Sequence, residues 1–279
     1  MLNQLLDTVA DHLRQARRVL FITGAGISAD SGLPTYRGVG GLYNSGQTEE
    51  GYSIEHCLSA SMFCEKPEIT WKYMLGVGEA VVKCKPNPAH EIIAKWEREF
   101  ENRGGKIVVL TQNIDGYHRR AGSINVLEIH GTLRNLFCTE CHWETEIDLD
   151  GTDNQTLRNR LAEFGQNLPP RCPKCNAVIR PQIVLFEEML PRKVLDEFDR
   201  EFQDGNGFDM VFTIGTSAMF PYITSPVLYA SRCGKTTVEI NPAVSELSDS
   251  VTFHLPLRAA EALARLDERL SDGLIPVLP

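Results

Sequence analysis

Apolar residues at the start of the chain recur at Leu2, Leu5, Leu6, Val9 and Leu13, and then give way to the unbroken run Val19-Leu20-Phe21-Ile22-Thr23. A change from helical spacing to a short, continuous β-prone run predicts a helix followed by a strand buried on both faces. That strand leads straight into Gly24-Ala25-Gly26-Ile27-Ser28, the way a parallel sheet presents a glycine turn to a phosphate group. Further buried strands are expected at 107–111, 126–129, 209–214 and 236–240. Helical stretches lie between them: Asn87 can cap a helix with Pro88 at its first position, and Ile92, Ile93, Trp96 and Phe100 mark its apolar face. Ala259, Leu263, Leu266 and Leu270 mark a closing amphipathic helix, a packing element. Alternation of this kind predicts a doubly wound α/β fold with a parallel sheet. Two stretches break it and are assigned to a second, smaller domain. Residues 38–86 are rich in Gly, Tyr and Ser at first and helical around 67–82; residues 133–185 carry a polar middle, 148–155, that reads as a loop.

Composition narrows the class. The chain has 279 residues, of which 42% are hydrophobic and 23% charged, enough for a sizeable core. A formal net charge of −9 argues against general affinity for DNA or RNA, which is driven by Lys and Arg neutralising phosphates, and suits a cationic, lysine-rich peptide. No apolar run reaches the roughly 18 residues a membrane span needs, and the first residues lack a basic export leader, so no membrane partner and a cytoplasmic location are expected.

Cysteine spacing is more specific. Cys138/Cys141 and Cys172/Cys175 form two CxxC pairs separated by thirty residues, the layout of four thiolates closing a tetrahedral zinc shell. Such a shell has no open position for water, so the zinc is structural and the chemistry lies elsewhere. Cys57, Cys64, Cys84 and Cys233 are scattered and are expected to be small buried hydrophobes. His130 stands eight positions before the first pair, just after the strand-like run 126–129, and is the first candidate for catalysis.

The glycine turn lacks the third glycine of a GxGxxG fingerprint, which disfavours a hydride-transfer enzyme. Its glycines still permit close backbone approach to a pyrophosphate, Ser28 can donate a hydrogen bond and Arg37 supplies a cation. Thr111-Gln112-Asn113-Ile114-Asp115-Gly116 follows a strand, so its polar side chains belong at the carboxyl edge of the sheet, either contacting a ligand or capping the next helix. His118 reads as an exposed helix residue. Gly215-Thr216-Ser217 and Asn241 also follow strands, so four strand ends are expected to converge on one ligand.

Taken together, GAGISADSGLPTYRG, TQNIDGYHRRAG, LEIHGTL, the two CxxC pairs, RPQIVLFEEMLP, FTIGTS and VEINP resemble the sirtuin family of NAD-dependent protein lysine deacylases, from about Val19 to Leu266. The resemblance implies a Rossmann-like NAD-binding domain built from 1–37, 87–132 and 186–279, a helical part of the small domain with the cofactor-binding loop at 38–86, and a zinc-binding module at 133–185. It implies that Gly24, Ala25, Gly26, Ser28, Tyr36 and Arg37 cradle and cover NAD, and that Gln112, Asn113, Ile114 and Asp115 line the nicotinamide and ribose pocket. Gly215, Thr216 and Ser217 would hold the adenosine half, with Asn241 near its ribose. His130 matches the general base, with Asn113 and Asp115 also catalytic. The implied reaction consumes NAD and moves an acyl group from lysine to ADP-ribose, releasing nicotinamide, free lysine and O-acyl-ADP-ribose. The acyl-lysine protein or peptide would lie as an added strand along Ile183, Val184, Phe186 and Glu187. A mono-ADP-ribosyltransferase or NAD glycohydrolase would use the same pocket, and a non-catalytic NAD sensor is a third class. Oligomeric state is left open; a monomer suffices.

Several positions depart from the family pattern. Tyr36 and Tyr117 stand where phenylalanine and leucine are common, Leu185 and Glu187 where an aromatic residue and a glycine are common, and 218–221 is one residue short. Family members that remove acidic acyl groups carry a Tyr and an Arg three apart, where this chain has Met74 and Val77. An apolar pocket leaves a carboxylate unpaired, so acetyl or longer neutral acyl groups are expected, with Met74 adaptable to length.

Overall fold

A computed structural model of the protein describes residues 1–34, 47–149, 153–165, 167–203 and 207–271. Helix α1 (Leu2–Gln15) buries Leu6, Val9, Ala10 and Leu13, and strand β1 (Arg18–Thr23) follows with every residue after Arg18 buried. The glycine turn opens a short helix α2 (Ala25–Ala29). Three helices come next: α3 (Ile54–Cys57), α4 (Ala60–Glu65) and the long α5 (Pro67–Lys83). Ser53 and Ser59 cap the first two by accepting the backbone N–H of His56 and Met62.

Helix α6 (Pro88–Asn102) starts where expected. The Asn87 side chain accepts the Ala89 N–H, Pro88 needs no donor, and the Asn87 N–H returns to the side chain of His90. Strand β2 (Lys106–Thr111), a single turn α7 (Tyr117–Arg120) and β3 (Val126–Glu128) complete one half of the main sheet. The chain then leaves it for β4 (Gly131–Cys138), β5 (Glu144–Glu146), α8 (Asn154–Ala162) and β6 (Ile179–Ile183). It returns through α9 (Arg192–Gln203), β7 (Met210–Ile214), α10 (Pro221–Arg232), β8 (Thr236–Ile240), β9 (Phe253–Leu255) and α11 (Ala259–Leu270).

The six-stranded sheet runs β3-β2-β1-β7-β8-β9, parallel throughout. Strand residues alternate between its two faces. Val19 and Phe21 join a core with α1, α6 and α11, while Leu20 and Ile22 join another with α9 and α10. Helices on both faces explain why the strands read as continuous apolar runs. Strand order reverses between β1 and β7, so the carboxyl ends of these neighbours diverge into loops on opposite sides, the place where open α/β sheets bind ligands.

A third core gathers Trp71, Met74 and Val81 of α5 with Leu133, Leu136, Leu157 and Ile179 around the antiparallel sheet β5-β4-β6. Trp71 Nε1 donates to the Ile179 carbonyl at 2.9 Å, tying the two irregular stretches together. The polar stretch 148–155 is not loop throughout. Asp153 accepts the Thr156 N–H at 2.7 Å and so starts α8 at Asn154, a cap that lay hidden in a run of polar residues. The scattered cysteines also divide: Cys57 is buried and Cys84 half-buried, but Cys64, within α4, and Cys233, at the end of α10, are exposed. None of the described helices is long and apolar enough to cross a membrane.

Phe21 sits at the centre of the main core, stacked on Phe212 at a ring separation of 4.8 Å and 6.2 Å from Trp96. Phe21→Ala is expected to cost about 3–5 kcal/mol, read as a lower urea midpoint at unchanged slope.

Candidate active site

The crevice at the strand reversal is built on backbone contact. Gly24 N–H donates to the Ile214 carbonyl at 3.0 Å and Gly26 N–H to the Gly215 carbonyl at 2.8 Å. A Cβ on Gly26 would fall 2.5 Å from the Gly215 Cα, and Gly215 also holds a φ of +60° that favours glycine. Over this contact the four strand ends meet. Gln112 Nε2 donates to Thr216 Oγ1 at 3.0 Å, Asn113 Nδ2 to the Gly24 carbonyl at 3.1 Å, and Asn241 Nδ2 to the Thr216 carbonyl at 3.0 Å. Ser28 Oγ donates to Asp115 Oδ2 at 2.8 Å, and Asp115 Oδ1 accepts the Tyr117 N–H at 2.9 Å, so this carboxyl both meets the glycine turn and caps α7. Burial pushes the Asp115 carboxyl above the usual range, against the Tyr117 N–H, Ser28 and Arg120, which act to lower it. Ser217 is exposed at the rim. Tyr36 and Arg37 lie outside the described residues.

His130 ends the loop after β3 and precedes Gly131, whose φ of +75° and close approach to Gln182, 1.9 Å from where a Cβ would stand, let β4 turn away from the sheet at once. The imidazole is thereby left at the sheet edge. Nδ1 lies 2.9 Å from the Gln112 carbonyl, which can only accept, so Nδ1 carries the proton. Nε2 is then the basic nitrogen, and it meets the Tyr222 hydroxyl at 2.8 Å. Burial lowers the imidazole pKa, the Gln112 bond opposing it, so the ring is neutral near pH 7 and able to accept a proton.

His118 is not exposed. It is 2% accessible, with Nε2 3.0 Å from Thr23 Oγ1, because the one-turn helix α7 tucks against α6 beneath the strand ends. Its ring lies 4.9 Å from that of His90, which is fully buried and sits 3.5 Å from Ser28 Oγ. Sequence pattern gave no sign of this buried pair: a histidine two positions past a helix start looks the same whether the helix faces water or a core.

A cavity of about 390 Å³ lies between this polar floor and α5. Ala25, Ser28, Asn113, Ile114 and Asp115 line one end, and Leu33, Pro34, Ile54, Leu58, Val77 and Val81 the other. Val77 lines it as expected, but Met74 does not. Met74 is 2% accessible within the third core, one helix position away from the cavity face. Lys72 and Tyr73 reach the cavity instead, and sequence reasoning missed both. Lys72 Nζ is held by Glu49 at 2.7 Å and Glu50 at 2.6 Å, and Tyr73 hydrogen-bonds Glu50, so the one cation among the described lining residues is already matched by carboxylates.

The four paired cysteines come together at the end of the small sheet, their sulfurs all within 4.8 Å of one another. Cys138 and Cys175 Sγ are 3.4 Å apart, and Cys141 and Cys172 Sγ 3.7 Å. These separations are too long for disulfides and close to the roughly 3.8 Å edge of a tetrahedron with 2.3 Å zinc–sulfur bonds. Backbone N–H groups of Glu140 and Cys141 point to Cys138 Sγ, and that of Lys174 to Cys172 Sγ, each at 3.4 Å, which favours thiolates.

The Sir2 family model matches residues 24–221. The chain belongs to the Sir2, or sirtuin, family. It is 47% identical over 263 residues to NAD-dependent protein deacylase 2 of Pseudomonas aeruginosa, covering 94% of this chain and 95% of that one. It is 34% identical to the NAD-dependent protein deacylase of Pyrococcus abyssi, covering 92% and 95%. Among solved structures, a Sir2 homologue in complex with 2′-O-acetyl ADP ribose superposes with a TM-score of 0.80 at 32% identity over 98% of this chain and 99% of that one. A Sir2 homologue–NAD complex gives 0.77 at 30%, over 96% and 95%.

Within this Sir2 fold the segment expected to take a peptide is already partly paired. Val184 N–H donates to the His130 carbonyl, Phe186 N–H to Leu58 and Leu185 N–H to Glu188 Oε2. Ile183 and Phe186 pack into the third core and not onto the cavity. Glu187, expected along the peptide segment, turns its carboxylate to accept from the Ser61 N–H at 3.0 Å and Oγ at 3.3 Å at the start of α4.

Burial holds His90 at a pKa of about 4 and His118 well below its ordinary value. Between about pH 4 and 6.5 the unfolded chain binds a proton on His90 that the folded chain refuses, so stability is complete above this window and falls as pH drops through it, by roughly 3 kcal/mol for His90 alone. His90→Gln, which keeps an acceptor for the Asn87 N–H, should lose stability at pH 7.5 but flatten the slope of unfolding free energy against pH between 6.5 and 4.5.

Proposed function

We propose that the chain is an NAD-dependent protein lysine deacetylase that transfers the acyl group of an acyl-lysine peptide to ADP-ribose. The observation that carries the reading is the neutral His130, its basic Nε2 held at the edge of a crevice where four strand ends meet. The names of the relatives support the same activity. NAD, when bound, supplies a ribose carbon that takes the acyl oxygen as nicotinamide leaves and a hydroxyl that then takes over the acyl group.

The residues divide this work by position. Gly24, Ala25, Gly26 and Ser28 face the pyrophosphate, where missing side chains permit close approach, and Gly215, Thr216, Ser217 and Asn241 hold the adenosine half. Tyr36 and Arg37 complete the cover. Gln112, Asn113, Ile114 and Asp115 surround the nicotinamide and its ribose, with the amide groups fixed by their bonds to Thr216 and Gly24. His130 takes the ribose hydroxyl proton at Nε2, its other nitrogen anchored on Gln112. Cys138, Cys141, Cys172 and Cys175 hold one structural zinc that staples β4 to the segment before β6.

The large lobe is 1–37, 87–132 and 186–279, with 38–86 and 133–185 as the small one. The peptide enters between them, and since the N–H groups of Val184 to Phe186 are engaged, it pairs through the Val184 carbonyl and the backbone of Glu187. The formal charge of −9 suits basic flanking sequence. With Lys72 neutralised by Glu49 and Glu50, the apolar end of the cavity favours neutral acyl groups.

Nicotinamide release from NAD is the test. Release should require an acetyl-lysine peptide, be at least tenfold weaker with a succinyl-lysine peptide, and yield O-acetyl-ADP-ribose in wild type; His130→Ala should lose at least a hundredfold of product formation. Release indifferent to peptide would instead establish an NAD glycohydrolase or ADP-ribosyltransferase, and no release a binding module. Separately, metal analysis should find one zinc per chain, and Cys172→Ser should lose it with a fall in thermal midpoint; an unchanged midpoint on metal removal would end the staple assignment.

A further inference from the structure

The Tyr222 hydroxyl stands where the proposed base must receive its proton. Tyr222 is the second residue of α10, introduced by Pro221, and its phenol is fixed from several sides. The ring stacks on Phe220 at 5.3 Å with planes 10° apart, meets the His130 ring edge-on at 5.9 Å and 80°, and packs against the core that holds Leu20 and Ile22. Ala218, at a φ of +55°, turns the shortened segment after β7 so that α10 begins beside the imidazole. Among the described residues the hydrogen-bond partners of the His130 ring are the uncharged Gln112 carbonyl from the end of β2 and the titratable Tyr222 from α10. The first can only accept and so fixes the proton on Nδ1, which leaves Nε2 a lone pair, and the Tyr222 O–H donates to it.

We propose that Tyr222 is a positioning residue for the base: its hydroxyl donates to His130 Nε2 in the resting enzyme, holding the neutral ring in the orientation from which Nε2 accepts the ribose proton. The inference rests on His130 being the base. A donor on Nε2 stabilises the neutral ring over the imidazolium, so it keeps the base unprotonated before substrate arrives. The incoming ribose hydroxyl then takes the place of the phenol, exchanging one O–H donor for another. Nothing is gained or lost in protons by that exchange: Tyr222, whose pKa burial pushes up to about 12, keeps its own, and the ribose proton ends on Nε2. The step that expels nicotinamide uses no imidazole base, whereas the transfer of the acyl group to the ribose hydroxyl does. Loss of the phenol hydroxyl should therefore divide the two.

Tyr222→Phe, Tyr222→Ala and His130→Ala, compared with wild type in peptide-dependent nicotinamide exchange and product formation from pH 5.5 to 9, test this. In Tyr222→Phe, exchange should stay within about twofold of wild type while product formation below pH 7 falls about 3- to 10-fold, and the acid limb of kcat/KM should move up by roughly half a pH unit or more, as expected for loss of one neutral hydrogen bond to the free base. Nitrogen-15 shifts of His130 should show the Nδ1–H tautomer in both proteins, with the imidazolium persisting to higher pH in the variant by about the same half pH unit. An unchanged acid limb with an unchanged imidazolium titration, or faster turnover at every pH, would overturn the proposal. So would a Tyr222→Phe variant equal to wild type beside an impaired Tyr222→Ala, since that pattern assigns Tyr222 to ring packing alone. If His130→Ala forms product at the wild-type rate, the assignment of the base itself fails, whatever Tyr222 does.

Discussion

The site depends on two loops touching with no side chain between them. β1 and β7 are neighbours whose chains leave the sheet in opposite directions, and the crevice they open is only as wide as the Gly26–Gly215 contact sets it. A side chain larger than hydrogen at either position would force the loops apart. The bonds from Gln112 to Thr216, from Asn113 to Gly24 and from Asn241 to Thr216 all reach across or along this contact, so their lengths are fixed by the same backbone approach. Parallel pairing of β2, β1, β7 and β8 then brings residues more than a hundred positions apart to a common edge with little freedom left to lose on binding.

Desolvation does the remaining work on the floor of that crevice, and it acts in one direction: it disfavours charge. It raises Asp115 and lowers His90, His118 and His130. The result is a hydrogen-bonding surface in which imidazoles stay neutral at physiological pH, so one of them can serve as a base. The two deeper histidines are structural by the same logic. His90 completes the cap of α6 and His118 meets Thr23, whose hydroxyl is bonded to Thr111 on the next strand. A buried network of this kind rigidifies the strand ends only if its members are paired, and His118 Nδ1 is the atom among these without a partner.

What could be read in the sequence was whatever depends on local order. The strands showed because helices cover both sheet faces and leave no polar alternation to obscure them, and Asn87-Pro88 announced α6 because a cap is written within four residues. The CxxC pairs and the polar turn after β2 were legible for the same reason. Contacts that depend on which face of a helix meets a core were not: His118 on the one-turn α7, and Met74 on α5 turned from the cavity while Val77 lines it; nor was the Asp153 cap that starts α8 inside a polar run. Tyr222 was invisible in another way. Its meeting with His130 joins segments 92 positions apart through a shortened loop, and nothing in either local sequence records it.

Glu187 shows how the same fold absorbs an unusual residue. At a φ of +73° it holds a conformation that costs a residue with a Cβ about 1 kcal/mol more than glycine. Its carboxylate accepts the Ser61 N–H and hydroxyl in the first turn of α4, where a negative charge and unpaired backbone donors favour each other by a similar amount. Strain at one point is thus offset by a bond to the facing segment, and the bond is reinforced on either side by Phe186, which exchanges backbone hydrogen bonds with Leu58 and Ala60, and by Glu188, which grips buried Arg180 through both oxygens. A glycine at 187 would leave the Phe186 backbone bonds alone to hold this segment to α4. Glutamate adds a side-chain bond to those backbone ones, so the spacing between this segment and α4 is held from both.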